Sequence, residues 1–235
     1  MKIFNHSGKD FILAHFQGGC YVGFYPMVLH FGKKPVELPT DISIVTACNN
    51  PDRSMLITQL ECSGINYLND AQLGAPWSNL KKIGHVASAL ARVKTKYVLI
   101  LDAADVLFVK NPADICQRLD VYGKRLLFGA TQNEHPKRLI DKISNRDFRG
   151  RFRYLNAGTA FGYTEDAKRF YRLVRDKLEN DEIFNPDQSE QLIVRHAFAE
   201  CTDWVDFDYN CTIFQTFGGT ELATLDEQQE IYKVA

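Results

Sequence analysis

The sequence predicts an α/β fold in which a mainly parallel sheet is flanked by helices. The run Tyr97–Leu101 is continuously apolar, as expected of a strand that is covered on both faces. A second apolar and β-branched run, Ile42–Ala47, predicts another strand, and residues 79–94 between them carry apolar side chains at helical spacing. Repeated strand–helix units of this kind are typical of a doubly wound parallel sheet.

Turn, cap and periodicity signals predict the remaining elements. In the first half of the chain they are a helix over 54–63 that Gly64 ends, a weak strand at 66–68, a helix that begins at Asn111-Pro112 and a buried strand at 125–128. A loop with a short helix at 133–152 and a strand and turn at 154–163 follow. The last elements are a helix from Thr164 to about Asn180, a helix capped by Asp187 with Glu190 at its third position, and strands at 204–207 and 211–217.

The first 40 residues differ from the rest of the chain. They are rich in aromatic residues and contain Gly18-Gly19 and a strand-like run, Cys20–Tyr25, but the sequence indicates no role for them. The run Leu38–Thr40 predicts a boundary. We therefore expect an N-terminal segment, 1–40, followed by one α/β domain, 41–235.

Composition argues against several classes of partner. The chain has 235 residues and 45% hydrophobic content, which suits one α/β domain with a sizeable core. Its net charge is −1 and it has no basic stripe, so we expect no nucleic-acid partner. No apolar run reaches the roughly 20 residues of a membrane span, and residues 1–16 lack the apolar centre of a signal peptide. These observations predict a cytoplasmic protein without a membrane span.

The strongest chemical signal lies at the end of the Tyr97–Leu101 strand, where Asp102 and Asp105 follow. Open α/β sheets bind ligands at the carboxyl ends of their strands, and two aspartates three residues apart can converge on one hard cation. Ala103 and Ala104 would let a ligand approach the backbone. The alternative is that the two aspartates only cap the turn.

Phosphate-binding loops are missing from the sequence. Neither G-x-x-x-x-G-K-[ST] nor G-x-G-x-x-G occurs. If phosphates bind at this strand end, a metal ion must therefore supply what backbone amides supply in those loops. Such an ion can bridge two phosphate oxygens and neutralise charge on a leaving diphosphate.

Three segments resemble the glycosyltransferase domain of the collagen lysyl hydroxylases, and more distantly other GT-A (Rossmann-like) enzymes. They are LDAADV at Leu101–Val106, RYLNAGTAFGY at Arg153–Tyr163, which is close to the family's R-Y-L-N-S-G-G-F-I-G-Y, and DYNCTIFQTF at Asp208–Phe217. Asp187-Gln188 also matches the D-Q that ends an acidic run in the family. The three segments occur in the family's order, and the likeness covers about residues 42–226.

The resemblance implies a GT-A fold, a UDP-sugar donor, a hydroxyl acceptor and Mn²⁺ (or Mg²⁺). It makes Asp102 and Asp105 the metal ligands, puts Val45, Thr46 and Ala47 at the uridine, and puts Lys82 where it could meet phosphate. It also puts Asn156 and Gly158 by the sugar and Asp187 beside the donor sugar or the acceptor hydroxyl. We further expect Ala103, Ala104 and Gln188 to contact the bound nucleotide sugar. Simpler interpretations stay open for three of them: a surface lysine for Lys82, a turn-stabilising side chain for Asn156 and a helix cap for Asp187.

The sequence departs from the family pattern in its metal ligands and in its acidic run. The family's third metal ligand is a histidine in a C-terminal segment, and no histidine of this chain occupies that place. Residues 184–186, Phe-Asn-Pro, stand where the family has further acidic residues. We therefore expect a truncated C-terminus or an open, weak metal site. Two functions remain, an active hexosyltransferase and a catalytically weak or inactive nucleotide-binding domain.

Replacing Asp187 separates a catalytic role from a cap. If the carboxylate acts on the sugar or the acceptor, Asp187→Asn should lower transfer about 100-fold or more. The free energy of unfolding should change little, because Asn caps helices about as well as Asp. The measurements are turnover of a UDP-sugar and denaturant unfolding. Full turnover in the variant would mean that Asp187 is only a cap.

Overall fold

The computed structural model describes residues 2–3, 8–17, 28, 30–51, 54–134, 150–180, 189–218, 223–226 and 231–234. The strands are β1 (Lys2–Ile3), β2 (Leu13–Gln17), β3 (Ile42–Ala47), β4 (Tyr67–Asn69), β5 (Tyr97–Asp102), β6 (Val106–Phe108), β7 (Leu126–Thr131), β8 (Tyr154–Tyr163), β9 (Val205–Phe207), β10 (Phe214–Gly218), β11 (Ala223–Asp226) and β12 (Ile231–Val234). The helices are α1 (Met55–Cys62), α2 (Asn79–Arg92), α3 (Ile115–Tyr122), α4 (Thr164–Asn180) and α5 (Glu190–Ala199).

The central sheet confirms the predicted α/β fold. Within the described residues it has six strands in the order β4-β3-β5-β8-β7-β9. β3 runs parallel to β4 and β5, and β7 runs parallel to β9. β8 is antiparallel to both of its neighbours, β5 and β7, so the sheet is mixed rather than purely parallel. The architecture agrees with the GT-A-like fold that the sequence resemblance implies.

Strand β5 lies at the centre of the hydrophobic core. Val98 and Ile100 pack into one buried cluster, whereas Leu99 and Leu101 pack into another on the opposite face. The continuous apolar run in the sequence therefore has its expected cause, since both faces of the strand are covered. The strand ends at Asp102, where the chain leaves the core.

A smaller sheet brings the N-terminal part of the chain to this strand end. Its order is β10-β2-β6, with β2 parallel to β10 and antiparallel to β6. His15 on β2 pairs with Val106 on β6 and with Thr216 on β10. Contacts thus cross the position near residue 40 where the sequence predicts a boundary, and the division of the chain there stays a prediction.

Two predicted helix starts are wrong. Helix α3 begins at Ile115 after Asp114 rather than at Asn111-Pro112. Helix α5 begins at Glu190, and its cap is Ser189, whose hydroxyl accepts a hydrogen bond from the Gln191 backbone N–H at 3.3 Å. In both cases a polar residue nearer to the helix occupies the cap position. Asp187 and Gln188 lie outside the described residues.

A buried carboxylate holds the turn that leads into β10. Asp208 is fully buried and accepts hydrogen bonds from the backbone N–H groups of Thr212, Ile213 and Phe214 at 3.0, 2.6 and 2.8 Å. The hydroxyl of Tyr122 on α3 donates a further bond to it. Because β10 pairs with β2, this network fixes the strand that carries His15.

Asp208→Asn should lower the free energy of unfolding by about 2–4 kcal/mol, because the amide nitrogen would face buried N–H donors and leave them without an acceptor. Asp206→Asn is the matched control two residues earlier on β9. Its carboxylate accepts one bond, from the adjacent Phe207 N–H, so we expect a loss below about 1 kcal/mol. Urea denaturation measures both variants. Equal losses would contradict the anchoring role of Asp208.

Candidate metal and nucleotide-sugar site

The turn between Asp102 and Asp105 is held from two sides. On one side the Ser54 hydroxyl donates to the Ala103 carbonyl at 2.6 Å and accepts from the Ile57 N–H at 3.1 Å, so it caps α1 and ties that helix to the turn. On the other side the Phe16 backbone N–H donates to the Asp105 carbonyl at 2.9 Å. The two carboxylates therefore project from a fixed backbone.

His15 joins the two aspartates and was missed by the sequence prediction. Its Nε2 lies 3.5 Å from Asp105 Oδ1 and 3.9 Å from Asp102 Oδ2. The three side chains offer ligand atoms that all lie within 4.8 Å of one another. The sequence did mark His15 as unusual, because it is the polar residue in the otherwise apolar run Phe11–Phe16. Only the pairing of β2 with β6 and β10 shows that it faces the aspartates.

The charged states of this cluster depend on one another. Burial alone would lower the pKa of His15, but the neighbouring Asp105 and Asp102 carboxylates raise it above its usual value. Burial acts to raise the pKa of Asp105, but His15 outweighs it and the pKa is lowered. For Asp102, burial dominates and raises the pKa despite the positive charge of Lys82.

Lys82 lies inside the cleft and not on the surface. It is 6% exposed, and its ammonium contacts Asp102 Oδ1 and lies 3.3 Å from Glu190 Oε1. Burial opposes its charge, but the Asp102 and Glu190 carboxylates outweigh that effect and raise its pKa above the usual value. The side chain therefore presents a buried positive charge beside the aspartates.

A cleft of about 380 Å³ opens over these groups, a size within the usual range for small-molecule sites. The predicted residues that line it are Ala47, Lys82, Asp102, Ala103, Ala104 and Asp105. The residues that the sequence prediction missed are Cys48, Asn49, Asn50, Ser54, Trp77, Asn79 and Glu190.

Val45 and Thr46, predicted at the uridine, are fully buried in the sheet and do not line the cleft. The Thr46 hydroxyl donates to the Leu101 carbonyl at 2.8 Å, so it bonds the neighbouring strand. Of the residues of strand β3, Ala47 at its end lines the cleft, whereas Ile44 and Val45 pack into the hydrophobic core. Contact of Val45 and Thr46 with a uridine stays a prediction.

Asn156 and Gly158 determine the local structure of β8 beside the aspartates. Asn156 is 1% exposed, and its Oδ1 accepts a hydrogen bond from the Gly158 N–H at 2.8 Å, which favours the turn-stabilising interpretation over a catalytic one. A Cβ at Gly158 would lie 2.6 Å from Asp102 Oδ2 and would also collide with His15. The missing side chain is what allows β8 to pass beside Asp102 and His15.

Comparison with known proteins identifies the family. The family model described as PLOD GT domain matches residues 78–234, more than half of the chain. The chain belongs to this family. It is a glycosyltransferase domain of the collagen lysyl hydroxylase type. A search of curated proteins finds no match.

The matched range contains Lys82, Asp102, Asp105 and Gly158, whereas His15 lies before it. Nothing in the family match therefore pointed to His15, and only the three-dimensional arrangement connects it with the aspartates.

Within the described part of the chain, no helix has the length and apolar character needed to cross a membrane.

Adding a methyl group at Gly158 tests the packing of the cluster. Gly158→Ala should lower the free energy of unfolding by about 1–3 kcal/mol, because the Cβ forces Asp102 or His15 to move. Gly84→Ala, within α2, is the control: a Cβ there meets nothing within 4 Å, so we expect a gain of about 0.5–1 kcal/mol. Both are measured by denaturant unfolding. A neutral Gly158→Ala would show that His15 and Asp102 do not sit against β8.

Proposed function

We propose that this glycosyltransferase domain transfers a hexose from a UDP-sugar to an acceptor hydroxyl and that it requires a divalent cation held by Asp102, Asp105 and His15. The observation that carries the proposal is the convergence of these three side chains at the end of the buried strand β5, where the two aspartates line the cleft and the buried His15 lies beside them. In open α/β sheets this end of the strands is where ligands bind.

The residues fit a divalent cation in donor type, spacing and charge. Two carboxylate oxygens and one imidazole nitrogen lie within 4.8 Å of one another, and the absence of a side chain at Gly158 keeps the space beside them open. Mn²⁺ accepts both oxygen and nitrogen ligands, whereas Mg²⁺ is usually bound through oxygens and water. The donor set therefore favours Mn²⁺.

The cleft also fits an anionic leaving group. Three carboxylates and one ammonium line it, and a divalent cation balances their net charge before the nucleotide enters. When bound, the cation would neutralise the charge that develops on the leaving diphosphate. Lys82 adds a buried N–H donor beside it, and Ala103 and Ala104 leave the backbone accessible to the nucleotide. Catalysis of group transfer relies on preorganised charges of this kind.

The sequence left open a catalytically weak or inactive nucleotide-binding domain, because a third metal ligand was missing and only Asp187 remained of the acidic run. His15 supports the active alternative, since it offers an imidazole nitrogen from β2 beside the two carboxylates. The two functions differ in turnover: a binding domain would hold UDP with the cation but release no hexose from a UDP-hexose.

Metal dependence of UDP binding tests the proposal. We expect Mn²⁺ and UDP each to raise the affinity of the other by about 5–150-fold. Titration calorimetry of UDP with Mn²⁺ and with EDTA measures this coupling, and release of hexose from UDP-glucose and UDP-galactose measures turnover.

Asp102→Asn and His15→Ala should each remove most of the coupling, because each deletes one of the proposed metal ligands. His30→Ala is the matched control, because His30 lies away from the cleft and contacts Lys34. Equal UDP affinity with and without metal in the wild-type protein would contradict the proposal. An unchanged His15→Ala variant would remove His15 from the site.

A further inference from the structure

Glu190 is a carboxylate of the cleft to which neither the sequence resemblance nor the proposed cation assigns a role. It is the first residue of α5, and its side chain is 14% exposed. Its Oε1 lies 3.3 Å from the Lys82 ammonium, and its Oε2 lies 3.5 Å from the Ser189 hydroxyl. Both carboxylate oxygens therefore have a hydrogen-bond donor, Lys82 for Oε1 and Ser189 for Oε2.

An acidic side chain in this place opposes the binding of an anionic nucleotide. The cleft already contains Asp102 and Asp105, and Glu190 adds a third negative charge to the wall against which a diphosphate would bind. A glutamate at a helix N-terminus stabilises the helix through its dipole, but that effect does not require the side chain to point at a buried lysine. Its direction indicates a role that involves Lys82.

The geometry around Lys82 indicates what that role is. A lysine ammonium has three N–H donors. Among the described residues, Asp102 and Glu190 are the carboxylates in ion-pair contact with it. Asp102 is shared with the proposed cation, so Glu190 is the partner that serves Lys82 alone. With two donors directed at carboxylates, the third is left for the cleft.

We propose that Glu190 is a positioning residue that fixes the ammonium of Lys82 so that its remaining N–H points at the leaving diphosphate. This inference rests on the proposed function. A donor that is already oriented loses no free energy to reorganisation when charge develops on the diphosphate. Glu190 therefore contributes to the rate of transfer and not to the affinity for the nucleotide.

A double-mutant cycle tests this assignment. The variants are Glu190→Gln, Lys82→Met and the two combined, and the readouts are kcat and KM for release of hexose from UDP-glucose or UDP-galactose with Mn²⁺. Lys82→Met should lower kcat about 100-fold, as expected for loss of a preorganised donor. Glu190→Gln should lower kcat about 10-fold, as expected for a misplaced group. The affinity for UDP should stay the same or rise, because a negative charge is removed.

The combined variant should be no slower than Lys82→Met alone, because Glu190 acts only through Lys82. Glu165→Gln is the matched control: Glu165 also lies in the first turn of a helix, α4, and pairs with a lysine, Lys168, at 2.8 Å, but it is exposed. Its kcat should equal that of the wild-type protein.

Three results would overturn the positioning role. The first is an unchanged kcat in Glu190→Gln. The second is a fall in UDP affinity that accounts for the whole loss of activity in that variant. The third is an equal loss of kcat on Glu190→Gln with and without Lys82, which would indicate that Glu190 acts on the substrate directly. Each of these leaves the proposed function standing. A wild-type protein that releases no hexose from either UDP-hexose would overturn the proposed function, and the positioning role with it.

Discussion

The close placement of Asp102 and Asp105 at the end of a buried strand is the electrostatic constraint on which the rest of the site depends. Carboxylates in a partly buried cleft need positive partners, because burial disfavours their charge. The chain supplies two, Lys82 from α2 and His15 from β2, and both contact Asp102. Lys82 contacts Oδ1 of Asp102, whereas His15 lies nearest to Oδ2 of Asp102 and Oδ1 of Asp105, and it is these last two oxygens and the imidazole that we propose as ligands of a cation.

This arrangement depends on the N-terminal strand β2, which pairs with strands from later parts of the chain. β2 is held between β10 and β6, β10 is fixed through the buried Asp208, and β8 passes close by because residue 158 is glycine. None of these contacts touches the proposed substrate. They nevertheless set the position of the His15 ring, which is how the wider fold determines the chemistry of the site.

The sequence predicted the local features and missed the long-range ones. Strand β5 and the Asp102–Asp105 turn were predictable, because apolar runs and short carboxylate spacings are encoded by adjacent residues. His15 was not, since it lies 87 positions before Asp102 and meets it only through strand pairing. The burial of Thr46 was not predictable either, because the sequence of a strand end shows which residues are near the site but not which side chains face the cleft. The pairing of Glu190 with Lys82 depends on helix packing and has no local signature.

The ligand set of the proposed cation is the central claim, and pulsed electron paramagnetic resonance of Mn²⁺ bound to the nucleotide-free protein tests it most directly. Coordination by His15 predicts modulation of the Mn²⁺ signal by a directly bound imidazole nitrogen in the wild-type protein and its loss in His15→Ala. A Mn²⁺ signal without nitrogen coupling, or a coupling that persists in His15→Ala, would contradict a cation held by Asp102, Asp105 and His15.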